Sequence, residues 1–75
     1  MERYRNIGGD SGIIAYEIED DGIKVQFSDR SIYLYTDQSA GNNNIEHMKQ
    51  LAISGHGLNS FINRRVKTRY ASKLR

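Results

Sequence analysis

The sequence predicts an α+β fold: a three-stranded antiparallel β-meander followed by two short α-helices packed on the sheet. Three observations predict it. Apolar and polar residues alternate in two neighbouring runs, "GIIAYEIE" and "GIKVQFS"; an Asp-Gly dipeptide separates those runs; and the second half of the chain changes to a helical period in "NNNIEHMKQLAISG" and "GLNSFINRRV".

In the first run Ile14, Tyr16 and Ile18 share a face by the period of two, and in the second Ile23, Val25 and Phe27 alternate with Lys24, Gln26 and Ser28. Both are expected as half-buried strands. Asp21-Gly22 between them suits a tight primed turn, whose two central residues need positive φ, so the strands should pair antiparallel. A third strand follows in "SIYLYT", with Tyr33 and Tyr35 on one face and Ile32 and Leu34 on the other, which makes both faces want cover. Its connection "SDRS" lacks Gly and defines the second hairpin less sharply than the first.

Beyond a polar loop, Asn43 stands three residues before Glu46, the spacing of a capping box, and Gly55 can supply a left-handed stop. Ile45, Met48, Leu51 and Ala52 form one stripe of the helix so bounded. The second helix carries Leu58, Phe61, Ile62 and Val66 on one face and Ser60, Asn63, Arg64 and Lys67 on the other. Arg65 falls inside the apolar arc of a regular helix. Either the helix ends near Arg64, or the aliphatic stem of Arg65 lies flat with its guanidinium in water.

Seventy-five residues make one domain with a small core, and a chain of this size buries only roughly 60% of its unfolded surface, which disfavours a deep catalytic cleft. The absence of Cys removes disulfides, thiolate catalysis and Cys-type zinc sites. Together with a charged start, no signal-like apolar region and no run approaching a membrane span, it leads us to expect a cytoplasmic protein that is mature as the whole chain and engages no membrane. Residues 1–10 read as a loose arm and residues 71–75 as a basic tail.

Charge is partitioned. Residues 1–46 hold nine acidic and four basic side chains, and residues 47–75 hold seven basic and none acidic. Segregation of this kind is an electrostatic footprint for a polyanion, unless the acidic part of the same fold or of a second copy neutralises it.

The pattern Ile23-x-Val25-x-Phe27, the Tyr33-x-Tyr35 pair, the turn from Ser54 to Gly57 and the closing "FINRRVKTRY" together resemble the KTSC domain family, named for the C-terminal extension of some lysyl-tRNA synthetases and found also as small bacterial and phage proteins. The likeness covers residues 11–70. It departs from the family where Gly is usual near Asp29-Arg30, and where "TDQSAGNNN" replaces a Pro-containing segment after the tyrosine pair. The resemblance implies an α+β module whose activity is unestablished and for which RNA binding is the usual suggestion; an enzyme is not expected, because catalysis needs convergent groups in a pocket.

The residues that would carry such binding are Arg64, Lys67 and Arg69, assisted by Arg65 and Lys73, with Tyr70 available to stack a base. Tyr70 is equally suited to docking the C-terminus on the sheet. Tyr33 and Tyr35, about 7 Å apart on one strand face, suit either base stacking or the core, and a chain with two Phe and no Trp favours the core. His47 reads as a helix-surface residue and His56 as part of a Gly-rich turn; with no ligand set around either, neither metal nor other cofactor is expected. The competing expectation is a protein-interaction or self-assembly module, a weak homo-oligomer, using Ile32 and Leu34 on an uncovered sheet face.

Overall fold

Cross-strand pairing organises the molecule, and the computed structural model describes it over residues 1–9 and 12–75. One antiparallel sheet has five strands in chain order: β1 (Glu2–Arg3), β2 (Ile13–Glu19), β3 (Gly22–Phe27), β4 (Ile32–Thr36) and β5 (Ser72–Lys73). Between β4 and β5 the chain forms α1 (Asp37–Ala40), α2 (Asn42–Ser54) and α3 (Leu58–Phe61), and α3 runs on into a π-helical turn over Ile62–Val66. The α+β class holds. Among the described residues the expected three strands and two helices become five strands and three helices.

Register explains which face is covered. Val25 pairs with Tyr16 on one side and Tyr33 on the other, and Ile23 pairs with Ile18 and Tyr35. Directly paired residues project from the same face. That face meets the helices: Ile23, Val25 and Tyr35 share a core with Ile45, Met48, Ala52, Leu58, Ile62 and Val66. Full burial of one such aliphatic side chain stabilises the fold by about 1.5–3 kcal/mol. The tyrosine pair thus belongs to the core side, Tyr35 fully and Tyr33 packed against its margin. The opposite face carries Lys24 between Glu17 and Glu19, at 3.6 and 3.1 Å, with Ile32 and Leu34 half-buried beside them.

Several local expectations are corrected. Ile14 does not share the face of Tyr16, because the pairing with β3 shifts between Ile13 and Ala15; this bulge buries Ile13 against Phe27 and leaves Ile14 exposed. The first hairpin forms, but neither Asp20 nor Asp21 has positive φ, so the turn is not a primed one. Gly22 is needed for another reason: a Cβ there would collide with the Tyr35 carbonyl oxygen on β4. In the second hairpin it is Arg30 that takes the left-handed conformation, at φ 74°. Asp29 Oδ1 braces this turn by accepting from the Ser31 backbone N–H (2.9 Å) and hydroxyl (2.6 Å).

The polar loop before α2 is partly helical. Thr36 and Ser39 form a reciprocal capping box around α1, and α2 begins at Asn42 with Gly41 as its N-cap, so Asn43 and Glu46 form no box. Gly55 closes α2 in the left-handed conformation as expected, at φ 75°.

Residues 2–5 of the expected loose arm are held by pairing and packing, while Asp10, and Ser11 at the start of the expected domain, lie outside the described residues. Glu2 and Arg3 pair with Tyr16 and Ala15, and Tyr4 is 3% exposed. The Tyr4 hydroxyl accepts from the Leu58 backbone N–H at the start of α3 (3.2 Å), while the Arg5 guanidinium donates to the Ile53 and Ser54 carbonyls at the end of α2. One segment therefore caps two helices whose own residues leave those groups open. At the other end, Lys73 and Ser72 pair with Tyr33 and Leu34, which makes part of the expected tail an edge strand.

Candidate nucleic-acid interface

The π-helical turn decides how the basic segment is presented. In a regular α-helix of 3.6 residues per turn, Arg65 would follow Ile62 and Val66 into the core. The wider i→i+5 turn accommodates one more residue between successive core positions. Ile62 and Val66 are both buried, and Arg64, Arg65 and Lys67 are all exposed. The Arg69 N–H then closes the turn onto the Val66 carbonyl (2.8 Å), and the chain crosses back to the sheet with Ala71 donating to Leu34 and Leu74 to Ile32.

This return lays Tyr70 on the sheet tyrosines. Its ring contacts Tyr33 edge-on at 4.8 Å and Tyr35 at 6.4 Å, and Phe27 extends the cluster to Tyr33 at 5.6 Å. Tyr70 thus docks the C-terminal segment and still keeps 40% of its surface exposed, so both roles read from the sequence are open to it. Lys73 stands over the Tyr33 ring with Nζ 5.7 Å from its centre, a cation–π contact.

A concavity of about 410 Å³ opens above this aromatic floor. Asn63, Lys67 and Thr68 form the wall from the π turn, and Asp29 and Ser31 the wall from the β3–β4 hairpin. The Asp29 carboxyl lies below its ordinary range, first because the Ser31 hydroxyl and then the Ser31 N–H donate to it, with Lys73 nearby adding to the effect. Tyr35, under the floor, is pushed up to about 12, mainly by burial and then by the neighbouring Tyr33 and Tyr70 hydroxyls.

The six residues read from the sequence do not form one patch. Lys67 and Tyr70 line the aromatic groove and Lys73 sits on its Tyr33 floor; Arg64 and Arg65 line a second hollow of about 370 Å³ with His47, His56 and Phe61; Arg69 is exposed after the turn. His47 is not merely solvated, because its ring packs on Phe61 at 4.4 Å. Sequence reasoning missed Phe27, Asn63, Thr68 and the Asp29–Ser31 wall, which only the return of the C-terminus brings together. The polar "SDRS" beside an aromatic pair was the available signal.

Asp29 apart, the acidic side chains engaged by a partner lie elsewhere. Glu17 and Glu19 hold Lys24, Glu46 holds Lys49 at 3.4 Å, and Asp37 accepts from Asn42. Among the described residues no ion pair involves Arg64, Arg65, Lys67, Arg69, Lys73 or Arg75. Nor does any group of three His, Asp or Glu side chains there converge to hold a metal ion, and no helix is long and apolar enough to cross a membrane. Comparison with protein-family models, curated proteins and solved structures finds no match to this chain.

Proposed function

We propose that this chain is a non-enzymatic, KTSC-like module that binds RNA through phosphate contacts from its basic C-terminal segment. The observation that carries the reading is the lack of ion pairing. Intramolecular neutralisation is the main alternative for the partitioned charge, and the ion pairs formed among the described residues join Glu17 and Glu19 to Lys24 and Glu46 to Lys49, not to the C-terminal cations. Six cations with no ion pair among the described residues, on a short exposed segment, concentrate field toward a polyanion. The π turn adds to this by turning Arg65 outward beside Arg64. Exposed Tyr70 gives the surface an aromatic ring, which favours an unpaired strand over a duplex.

If about five phosphates are neutralised, log affinity for single-stranded RNA falls with log salt with a slope near −3.5. Arg64→Ala and Lys67→Ala each flatten that slope by about 0.7 and weaken different sequences alike. Binding that survives the double replacement with an unchanged slope rejects this surface.

A second reading, self-assembly, draws on the uncovered sheet face, where Ile32 and Leu34 are half-buried and Leu74 beyond them is 49% exposed. Lys24 with its two carboxylates in the middle of that face works against strand-face association. A size that grows with protein concentration in the micromolar range would favour it over RNA binding by a monomer.

A further inference from the structure

We infer that the aromatic groove takes one unpaired guanine base, stacked on Tyr70 with its Watson–Crick edge on the Asp29 carboxylate. This rests on the RNA-binding reading and gives it a point of base selectivity that phosphate contacts lack. The groove, about 410 Å³, is within the range of small-ligand sites, and its floor of Tyr33, Tyr35 and Phe27 is aromatic.

Its polar groups are unequal. Lys67 on one wall and Lys73 over Tyr33 supply positive charge for the phosphates on either side of a bound nucleotide. Asp29, on the other wall, is an exposed carboxylate that places an acceptor at the rim of a surface otherwise suited to polyanions. Its Oδ1 is engaged by Ser31, which fixes the carboxylate's position, while no other described residue donates a hydrogen bond to Oδ2.

The carboxylate is acceptor-only, and with Oδ1 filled by the two Ser31 donors its Oδ2 has two lone pairs left, enough to accept two neighbouring N–H groups from one base. Guanine is the RNA base whose Watson–Crick edge offers two adjacent donors, the N1–H and the N2 amino group. Uracil places its one N–H between two carbonyls, and adenine and cytosine set an acceptor beside their amino group, so each of these meets the carboxylate with at least one repulsive lone pair. The same residue that braces the Arg30 turn therefore selects the base.

The test uses fluorescence anisotropy with nine-nucleotide oligouridine probes whose central position is uridine, guanosine, inosine or adenosine. The guanosine probe should bind about tenfold more tightly than the others, with inosine, which lacks the N2 amino group, losing most of that gain. Asp29→Asn keeps an Oδ1 acceptor for Ser31, so the hairpin persists, and it should abolish the preference while leaving the salt slope on oligouridine intact. Equal affinity for all probes, or a guanosine preference that survives in Asp29→Asn, overturns this inference and leaves the RNA-binding reading standing. Absence of binding to every probe at low salt overturns both.

Discussion

Tyr4 tests whether the N-terminal segment is part of the core. Its ring is 3% exposed, and its hydroxyl accepts from the Leu58 N–H at 3.2 Å, at a helix start with no side-chain cap of its own. Tyr4→Phe removes only that acceptor and leaves a buried N–H unpaired, a loss of about 1–3 kcal/mol. Tyr4→Ala also empties the ring's volume and should cost about 3–5 kcal/mol. Total stability for a chain of this size is about 4–11 kcal/mol, so the alanine variant forfeits much of it. Urea unfolding followed by circular dichroism reads the difference. With a slope of about 1 kcal/mol per M, Tyr4→Phe moves the midpoint down by about 1–3 M without changing the slope. Arg5→Ala is the internal control: its exposed guanidinium caps the end of α2, worth about 0.3–1 kcal/mol. A Tyr4→Ala protein as stable as the parent, within about 0.5 kcal/mol, would refute the claim that the first residues close the core.

Three further predictions concern the sheet. Gly22→Ala forces β3 and β4 apart at the Tyr35 carbonyl and should destabilise by about 2 kcal/mol, read by the same urea titration; a neutral result would mean the hairpin is looser than described. Arg30→Gly relieves a left-handed conformation that costs about 1–2 kcal/mol, part of which returns as the greater unfolded-state freedom of Gly, so stability should rise by about 0.5–1 kcal/mol. A loss instead would show that the Arg30 side chain supports the fold. Tyr35 sets an alkaline limit: unfolded, its phenol ionises near 10.0, and folded it holds its proton to about 12. Above pH 10 the unfolded state binds fewer protons, so stability falls as pH rises, by about 1.4 kcal/mol per pH unit until about 12. Tyr35→Phe should flatten most of this fall in urea titrations between pH 9 and 12. Lys24, raised chiefly by its hydrogen bond to Glu19, leaves a remainder of the same sign above 10.5.

The elements legible in the sequence are those with several periods of pattern. In the alternation Ile23, Val25, Phe27 and the stripe Ile45, Met48, Leu51, Ala52 every residue is buried except Phe27 and Leu51, which pack partly buried at the core margin, because burial of one face is what those periods encode. β1 and β5 have two residues each, too few to show a period, and exist because longer neighbours offer an unpaired edge. The Ile14 bulge was hidden because two successive isoleucines leave open which faces inward. The π turn was half visible: Arg65 inside an apolar arc signalled that a regular helix could not continue, without saying how the chain would resolve it. The cationic side of the candidate site lies in contiguous sequence and was readable. Its groove joins Asp29 and Ser31 to Tyr70, about forty residues away, and no local pattern reports such a closure.

The most direct test of the central claim is an anisotropy titration of the protein against mixed-sequence single-stranded RNA and duplex DNA at several salt concentrations, repeated with the Arg64→Ala, Lys67→Ala double variant. The account predicts micromolar or tighter RNA binding, a salt slope near −3.5 and a flatter slope in the variant. No RNA binding even at low salt, or binding indifferent to both salt and the variant, would contradict it.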